Sequence, residues 1–509
     1  MMGHMEDNKA PQADEVQPAR PSNLYWSILF TGGGTGITIV SLFLETMIAV
    51  RLLDKDSYGI YVLLLAAVNL LVIVVDFGCK TAIPQLMSGS DRPRQAALVN
   101  SVLIFRLGVM ILTAALIWLS QDLLFWLDPS LQPVAQYIAY IPMMLAAISI
   151  DELFFGILQG FHAYKHIAVA QILRSLLRLI LTAILLLVFN LGLAALVYSW
   201  IISFTVAIGY QYFAAPIPKR PTFQYPVLKE VLRFGFPIHL TRFLATMGGR
   251  VDKLLLGALA GPASTAIYDI AQKIPFGLQR MFESFTAVYY PTIATLVAEG
   301  QHRQANILLN RSLRLVSTLL ALIALAAVLF SQELVTLLFS EKYAESSLVF
   351  GLMVVGLHMN TLVSLMGYTL TGAGYPERSL GENSVRLALG VSANLVLIPP
   401  FQYLGPALAS IFADYSASPV VIWLLRRSNF EVFVAPILKQ TALLLLCSSL
   451  VWWGQPSSLG SKLAIFAAFV AGNLILKTIS GDDLKQLLPN FARRVFKQNN
   501  RIQKIVSLK

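Results

Sequence analysis

Charge is what this chain has least of. Only 13% of its 509 residues are Asp, Glu, Lys or Arg, while 56% are hydrophobic, against about 25% charged residues in a soluble domain. That balance leaves more apolar surface than a water-soluble fold can hide, so it excludes a soluble protein and points to a polytopic membrane protein. Cysteine is nearly absent as well. Cys79 and Cys447 lie in or beside apolar runs without paired spacing, which excludes a redox motif or a cysteine-ligated metal. The GGGTG from Gly32 to Gly36 lacks the GK[ST] ending of a phosphate loop and lies inside an apolar run, so its reading is mechanical, with Gly32 and Gly36 letting helices approach or bend. No HExxH, nucleotide-binding motif or catalytic carboxylate pair occurs, and the longest connections, Gln121 to Pro133 and Ser331 to Ser346, hold few candidate groups. Neither an enzyme nor a cofactor is therefore expected. Met1 to Pro21 has no basic stretch leading a short apolar core and reads as a cytoplasmic tail rather than a cleaved leader.

What is present is a series of about fourteen apolar runs, each about 20 residues long, the length a helix needs to cross ~30 Å of hydrocarbon. The seventh and eighth are Val231–Leu259 and Ser264–Val288, and the last two, Val434–Val451 and Lys462–Ile479, are the least sharply defined. Most Lys and Arg fall in alternate connections and in the tails, against Arg51, Lys55, Arg250, Lys253, Lys342 and Lys462 on the other side. This bias predicts both termini in the cytoplasm. It also explains the net charge of +11 without a nucleic-acid partner.

The second half of the chain echoes the first. Arg51 to Leu63, RLLDKDSYGIYVL, aligns without gaps with Ala258 to Ile270, ALAGPASTAIYDI. LQG at Leu158 to Gly160 and LTG at Leu370 to Gly372 are each followed fourteen residues after the glycine by an arginine, Arg174 and Arg386. Parallel repeats of this kind are a device of transporters, which place substrate between the halves.

Arg51 to Gln85, with its RLL turn, YGIY and DFG, resembles the opening signature of the polysaccharide transporter family, the Wzx-like flippases of the multidrug/oligosaccharidyl-lipid/polysaccharide exporter superfamily. The resemblance recurs in Glu152 to Leu181, in FGFPIHLTRFLATMGGRVDKLLLGALAGP with the following AIYDIAQKIP, and in YPTIATLVAEGQ. The chain departs from it at Ala266, where glycine is usual, and at the acidic Asp269. The resemblance implies an all-α membrane protein with six-helix lobes at 24–213 and 231–425 in a V shape. A basic linker at 214–230, two further helices within 426–480, and tails at 1–23 and 481–509 complete it. It also implies movement of polyprenyl-pyrophosphate-linked oligosaccharide across the bacterial inner membrane for O-antigen, lipopolysaccharide or exopolysaccharide assembly. The implied partners are that lipid-linked oligosaccharide, membrane lipids, and the polymerase and glycosyltransferases of the same pathway.

A pyrophosphate headgroup needs cationic partners in a low-dielectric path, and arginine supplies a planar fork that keeps its proton. Arg242, near mid-depth of the seventh run, and Arg250, eight residues on, are the leading candidates, with pairing to Asp269 or Glu45 as the structural alternative. Arg174 and Arg178 share a helix face and either bind phosphate or pair with Asp151 or Glu152. Arg106 and Arg386 read as isolated in-span cations. Asp252 and Lys253 are expected at the membrane interface. Asp269 and Lys273 are spaced to pair locally, with ion coupling as the other reading. Asp414 and Glu45 read as lone acids of the type that proton or sodium coupling requires. His239, His358 and Asn360 are expected to hydrogen-bond between helices, and Pro142, Pro237 and Pro275 to kink them. A multidrug antiporter of the same superfamily is the nearer rival, and a lipid II flippase would differ in the sugar carried.

Overall fold

A computed structural model of the chain describes residues 21–87, 90–127, 137–216, 222–247, 251–456, 458–476 and 478. In chain order its helices are α1 (Pro21–Leu52), α2 (Lys55–Asp76), α3 (Cys79–Met87), α4 (Arg92–Leu127), α5 (Tyr140–Gly160), α6 (Tyr164–Leu187), α7 (Leu193–Ala214) and α8 (Tyr225–Met247). Then come α9 (Val251–Ala298), α10 (His302–Leu329), α11 (Ser331–Phe339), α12 (Ser346–Gly372), α13 (Pro376–Phe401), α14 (Gly405–Arg427), α15 (Val434–Gly454) and α16 (Leu459–Ile475). Eleven helical stretches among the described residues are long and apolar enough to cross a membrane. The chain is a multi-pass membrane protein of the all-α class.

Helix α9 is a hairpin, not a rod. Gly261 has φ 82° and ψ 173°, outside helical geometry. Along a continuous helix Lys253 and Asp269 would stand about 24 Å apart at ~1.5 Å per residue. Instead Lys253 Nζ lies 2.5 Å from Asp269 Oδ1, and the Tyr268 hydroxyl donates to Asp252 Oδ2 at 2.7 Å. The chain therefore reverses at Gly261, between arms 251–260 and 262–298, where the joint between the seventh and eighth runs is expected. Likewise α13 and α14 form one apolar stretch but are separated by a 3-10 turn at Gln402–Leu404 and pack on one another. With the two arms of α9 and the pair α13 and α14 each counted separately, and the shorter α16 added, the described helices accord with about fourteen passes.

Local chemistry sets the joints. Asp54 caps α2 by accepting the Ser57 backbone N–H at 2.8 Å, satisfying a donor that the first helical turn cannot. The helix ends where Phe77 (φ 48°) and Gly78 (φ 77°) enter the left-handed region. Of the two glycines expected to let helices approach or bend, Gly36 would meet nothing within 4 Å with a Cβ added and the surroundings of Gly32 lie outside the described residues; Gly34 is the one beside a neighbouring helix, where a Cβ would make ordinary contact with Ala168 of α6 at 3.4 Å. Pro142 falls in the first turn of α5, where its missing N–H costs nothing, so it starts a helix and does not kink one. Ser331 to Ser346 is no loop: it holds α11 and a 3-10 turn, Glu341–Tyr343. On α4 the large apolar residues Ile111 and Trp118 are 70% and 69% exposed, the inverted pattern of a face that lipid covers.

Contacts between the halves are close. On α2, a Cβ at Gly59 would lie 1.9 Å from the Pro262 carbonyl oxygen of the α9 hairpin. Gly59→Ala is therefore expected to lower the thermal unfolding temperature of the purified protein well below that of Gly33→Ala, whose methyl meets nothing within 4 Å. Equal unfolding temperatures for the two variants would show that α2 and α9 do not pack this tightly.

Candidate functional site

A cavity of about 470 Å³ opens between the two halves, walled by α1, α2, α6 and both arms of α9. Its charged lining is Arg178, Lys253, Lys273 and Arg280 against Glu45, Asp269 and Glu283, and Tyr58, Tyr61 and Asn69 line it beside them. Four cations against three acids leave a small positive excess. Asp269 is the hub of this wall. Its Oδ1 accepts from Lys253 at 2.5 Å, and its Oδ2 accepts from Lys273 at 2.9 Å and from the Tyr58 hydroxyl at 3.0 Å. The local Asp269–Lys273 pair expected from the sequence is present, but Lys253 joins it. Asp252 and Lys253 are buried, not at an interface, because the hairpin folds them onto Tyr268, Gln272 and Asp269.

Glu45 is not a lone acid. Arg178 Nε donates to its Oε2 at 2.6 Å, and Thr182 donates to Oε1 at 3.5 Å, joining α6 to α1. Arg178 thus pairs with Glu45 and lines the cavity, whereas its neighbour Arg174 pairs with Asp151, as the structural alternative had it. The Arg174 guanidinium also lies over the Phe204 ring at 4.7 Å.

Arg386 is not isolated either, nor is Asp414 alone. Arg386 Nη1 lies 3.4 Å from Asp414 Oδ1 and its Nε 3.6 Å from Glu382, while Asn360 donates to Asp414 at 3.1 Å. The two halves repeat the same device. In the first, Arg174 on α6 meets an acid on α5 and that acid meets the amide of Gln211 on α7 at 2.7 Å. In the second, Arg386 on α13 meets an acid on α14 and that acid meets an amide on α12. Each arginine of the repeat thus clamps the helices on both sides of it. A second cavity of about 240 Å³ lies beside this clamp, lined among others by Asp252, Tyr268, Gln272, Asn360 and Asp414.

Arg106 is the most enclosed of the predicted cations and lies away from the cavity wall. It is 1% exposed, pairs with Asp76, and donates to the Ser149 carbonyl at 2.6 Å. It ties α4 to α2 and α5. Arg242 lies in α8 with its side chain outside the described residues, and Arg250 lies wholly outside them. Sequence reasoning missed Arg280 and gave Lys253 no role in the wall. Arg280 is exposed, and among the described residues it has no ion-pair partner. The signal was present: Asp269, Lys273, Phe276 and Arg280 recur at helical spacing on one face of the second arm. His358 bonds Ser317 at 2.9 Å across α12 and α10, and Asn360 bonds Asp414, so both link helices as expected.

One end of the bundle carries a two-way clasp between the halves. Arg51, ending α1, donates to the Leu337 carbonyl of α11 at 2.9 Å, and Lys342 donates to the Leu53 carbonyl at 2.7 Å. Lys55 and Glu345 pair beside them at 2.9 Å. At the opposite end α8 leans on the first half: a Cβ at Gly78 would lie 2.1 Å from the Gly235 carbonyl oxygen, and Phe77 stacks on His239 at 5.9 Å.

Two halves of membrane-spanning helices, meeting around a charged cavity, define a transporter fold. A family model described as "Polysaccharide biosynthesis protein" matches residues 48–348, more than half of the sequence, and the chain belongs to that family. It is 19% identical over 375 residues, 72% of this chain and 76% of the other, to the probable low-salt glycan biosynthesis flippase Agl15 of Haloferax volcanii. It is 22% identical over 288 residues to the uncharacterized membrane protein MJ1068 of Methanocaldococcus jannaschii; that match covers 55% of this chain and only 57% of the relative. Among solved structures it is similar to the lipid II flippase MurJ in an inward closed conformation, with a TM-score of 0.70 at 12% identity over 90% of this chain and 99% of that one. It is also similar to an inward-facing multidrug resistance MATE transporter of the MOP superfamily, with a TM-score of 0.63 at 15% identity over 77% and 94%. The fold is that of the multidrug/oligosaccharidyl-lipid/polysaccharide exporter superfamily.

Proposed function

We propose that this protein is a flippase that carries a polyprenyl-pyrophosphate-linked oligosaccharide from the cytoplasmic to the outer leaflet for cell-surface polysaccharide assembly. The observation that carries this reading is the set of cations, Arg178, Lys253, Lys273 and Arg280, in the cavity between the halves. An anionic headgroup loses its hydration on entering a membrane, and fixed cations at mid-path offset that loss. In this reading Arg280 and Arg242 engage the pyrophosphate, the prenyl chain stays in lipid, and rocking of the halves exposes the sugar. A cytoplasmic-membrane location with both termini in the cytoplasm follows from the basic connections. Arg174, Arg386 and Arg106 act as clamps that keep each half rigid while it rocks.

Depleting the protein is expected to leave lipid-linked oligosaccharide on the cytoplasmic leaflet. Wild type should clear it, and Arg280→Ala and Arg242→Ala should clear it at less than about a tenth of the wild-type rate, a loss of roughly 1.4 kcal/mol in barrier terms. Absence of accumulation on depletion would reject the flippase reading and direct the next assay to efflux of organic cations.

A further inference from the structure

Asp269 holds its two lysines in the manner of a ligand. Three donors converge on one carboxylate and use both of its oxygens: Lys253 on one, Lys273 and the Tyr58 hydroxyl on the other. All four side chains line the central cavity, and Asp269 itself is 5% exposed. The lysines come from opposite arms of the α9 hairpin and the tyrosine from α2, so the cradle exists only where the halves meet. Its charges do not balance. Two ammonium groups, Lys253 buried and Lys273 partly exposed, face one carboxylate, and a cation in so enclosed a wall favours a further anionic partner. Arg280 follows Lys273 by seven residues, about two helical turns, and is exposed to the cavity without an ion-pair partner among the described residues.

We propose that Asp269 is a built-in counter-anion, occupying in the empty transporter the cradle that a phosphate or pyrophosphate group of the cargo takes. The proposal rests on the flippase reading above and deepens it at the same cavity. The cargo's phosphate enters past Arg280 and takes Lys253 and Lys273 from Asp269, which keeps the Tyr58 hydroxyl. The cradle is then binding-competent only while Asp269 has released the lysines, and the apparent affinity falls by that fraction. Weak binding serves a carrier, since an anion held by two lysines without a competitor would be slow to leave. When cargo departs, Asp269 returns to the lysines and restores the link between the two arms of α9. The acid at this position therefore sets release, and it marks a difference from a cavity lined by cations alone.

The test is binding of inorganic pyrophosphate to the purified full chain in detergent, by calorimetry, for wild type, Asp269→Asn and Asp269→Glu. Asp269→Asn should bind about tenfold more tightly than wild type, Asp269→Glu should stay within about threefold of it, and adding Lys273→Ala to Asp269→Asn should remove the gain; on the free-energy scale tenfold is ~1.4 kcal/mol. Loss of the carboxylate leaves two lysines uncompensated, so Asp269→Asn is also expected to unfold at a lower temperature than wild type. Pyrophosphate should then raise its unfolding temperature more than it raises that of wild type, which reads the same competition in a weakened protein. Equal or weaker pyrophosphate binding by Asp269→Asn, with wild type binding normally, overturns the counter-anion role and leaves the flippase reading standing. No binding by any variant overturns both the cradle and the cationic-cavity reading on which it rests.

Discussion

Tying Lys55 to Glu345 covalently is expected to reduce transport to background. These residues pair at 2.9 Å beside the clasp in which Arg51 and Lys342 each donate to carbonyls across the two halves. Cations at a helix C-terminus satisfy carbonyls that the helix leaves open and suit its dipole. Each link is modest: the side chains of Lys55 and Glu345 are 27% and 51% exposed, and an exposed ion pair contributes about 0–1 kcal/mol. Such a clasp holds the halves together at one end without preventing that end from opening in each cycle. Cysteines placed at positions 55 and 345 and joined by a short, cleavable bis-maleimide make that closure permanent, and native Cys79 and Cys447 are buried. The unlinked double variant should transport at close to the wild-type rate, the linked protein not at all, and cleavage should restore it. Undiminished transport by fully linked protein would mean that this end never opens, and alternating access between the halves would be abandoned.

Removing Arg106 is expected to give the largest loss of stability of any cation described above. It is fully enclosed, its guanidinium meets Asp76 and the Ser149 carbonyl, and among the described residues its Nε has no hydrogen-bond partner. Deleting one member of a buried pair leaves the other charged and unsolvated, at a cost of roughly 3–5 kcal/mol, comparable with the whole margin of about 5–15 kcal/mol that holds a protein folded. Arg106→Met should unfold far below wild type in the same detergent. Adding Asp76→Asn should recover most of the loss, because the second change removes the stranded charge. If Arg106→Met unfolded at the wild-type temperature, the clamp would be without structural weight and Arg106 would return to the list of headgroup candidates.

The contrast between Arg106 and Arg280 shows what a linear reading can miss. Both are arginines within apolar helices, so hydropathy treats them alike. Arg106 is held by Asp76, thirty positions away on another helix, and Arg178 by Glu45, farther still. Nothing in the spacing identifies such partners. Asp269 and Lys273 could be paired on sight because four residues make one helical turn, and Arg174 with Asp151 was legible as a contact between consecutive passes. Lys253 was misplaced at an interface because the hairpin at Gly261 turns a position near a helix end into a wall of the cavity.

The sequence by itself determined that the chain lies in a membrane, that its apolar runs number about fourteen, and that its second half echoes the first, because hydropathy, length and spacing are properties of neighbours along the chain. Its motifs were also enough to resemble the family to which the chain belongs. Only the tertiary structure decided which charges are spent on one another and which face the cavity. That choice depends on the depth, rotation and crossing of helices far apart in sequence, and those are fixed by packing among all the passes together.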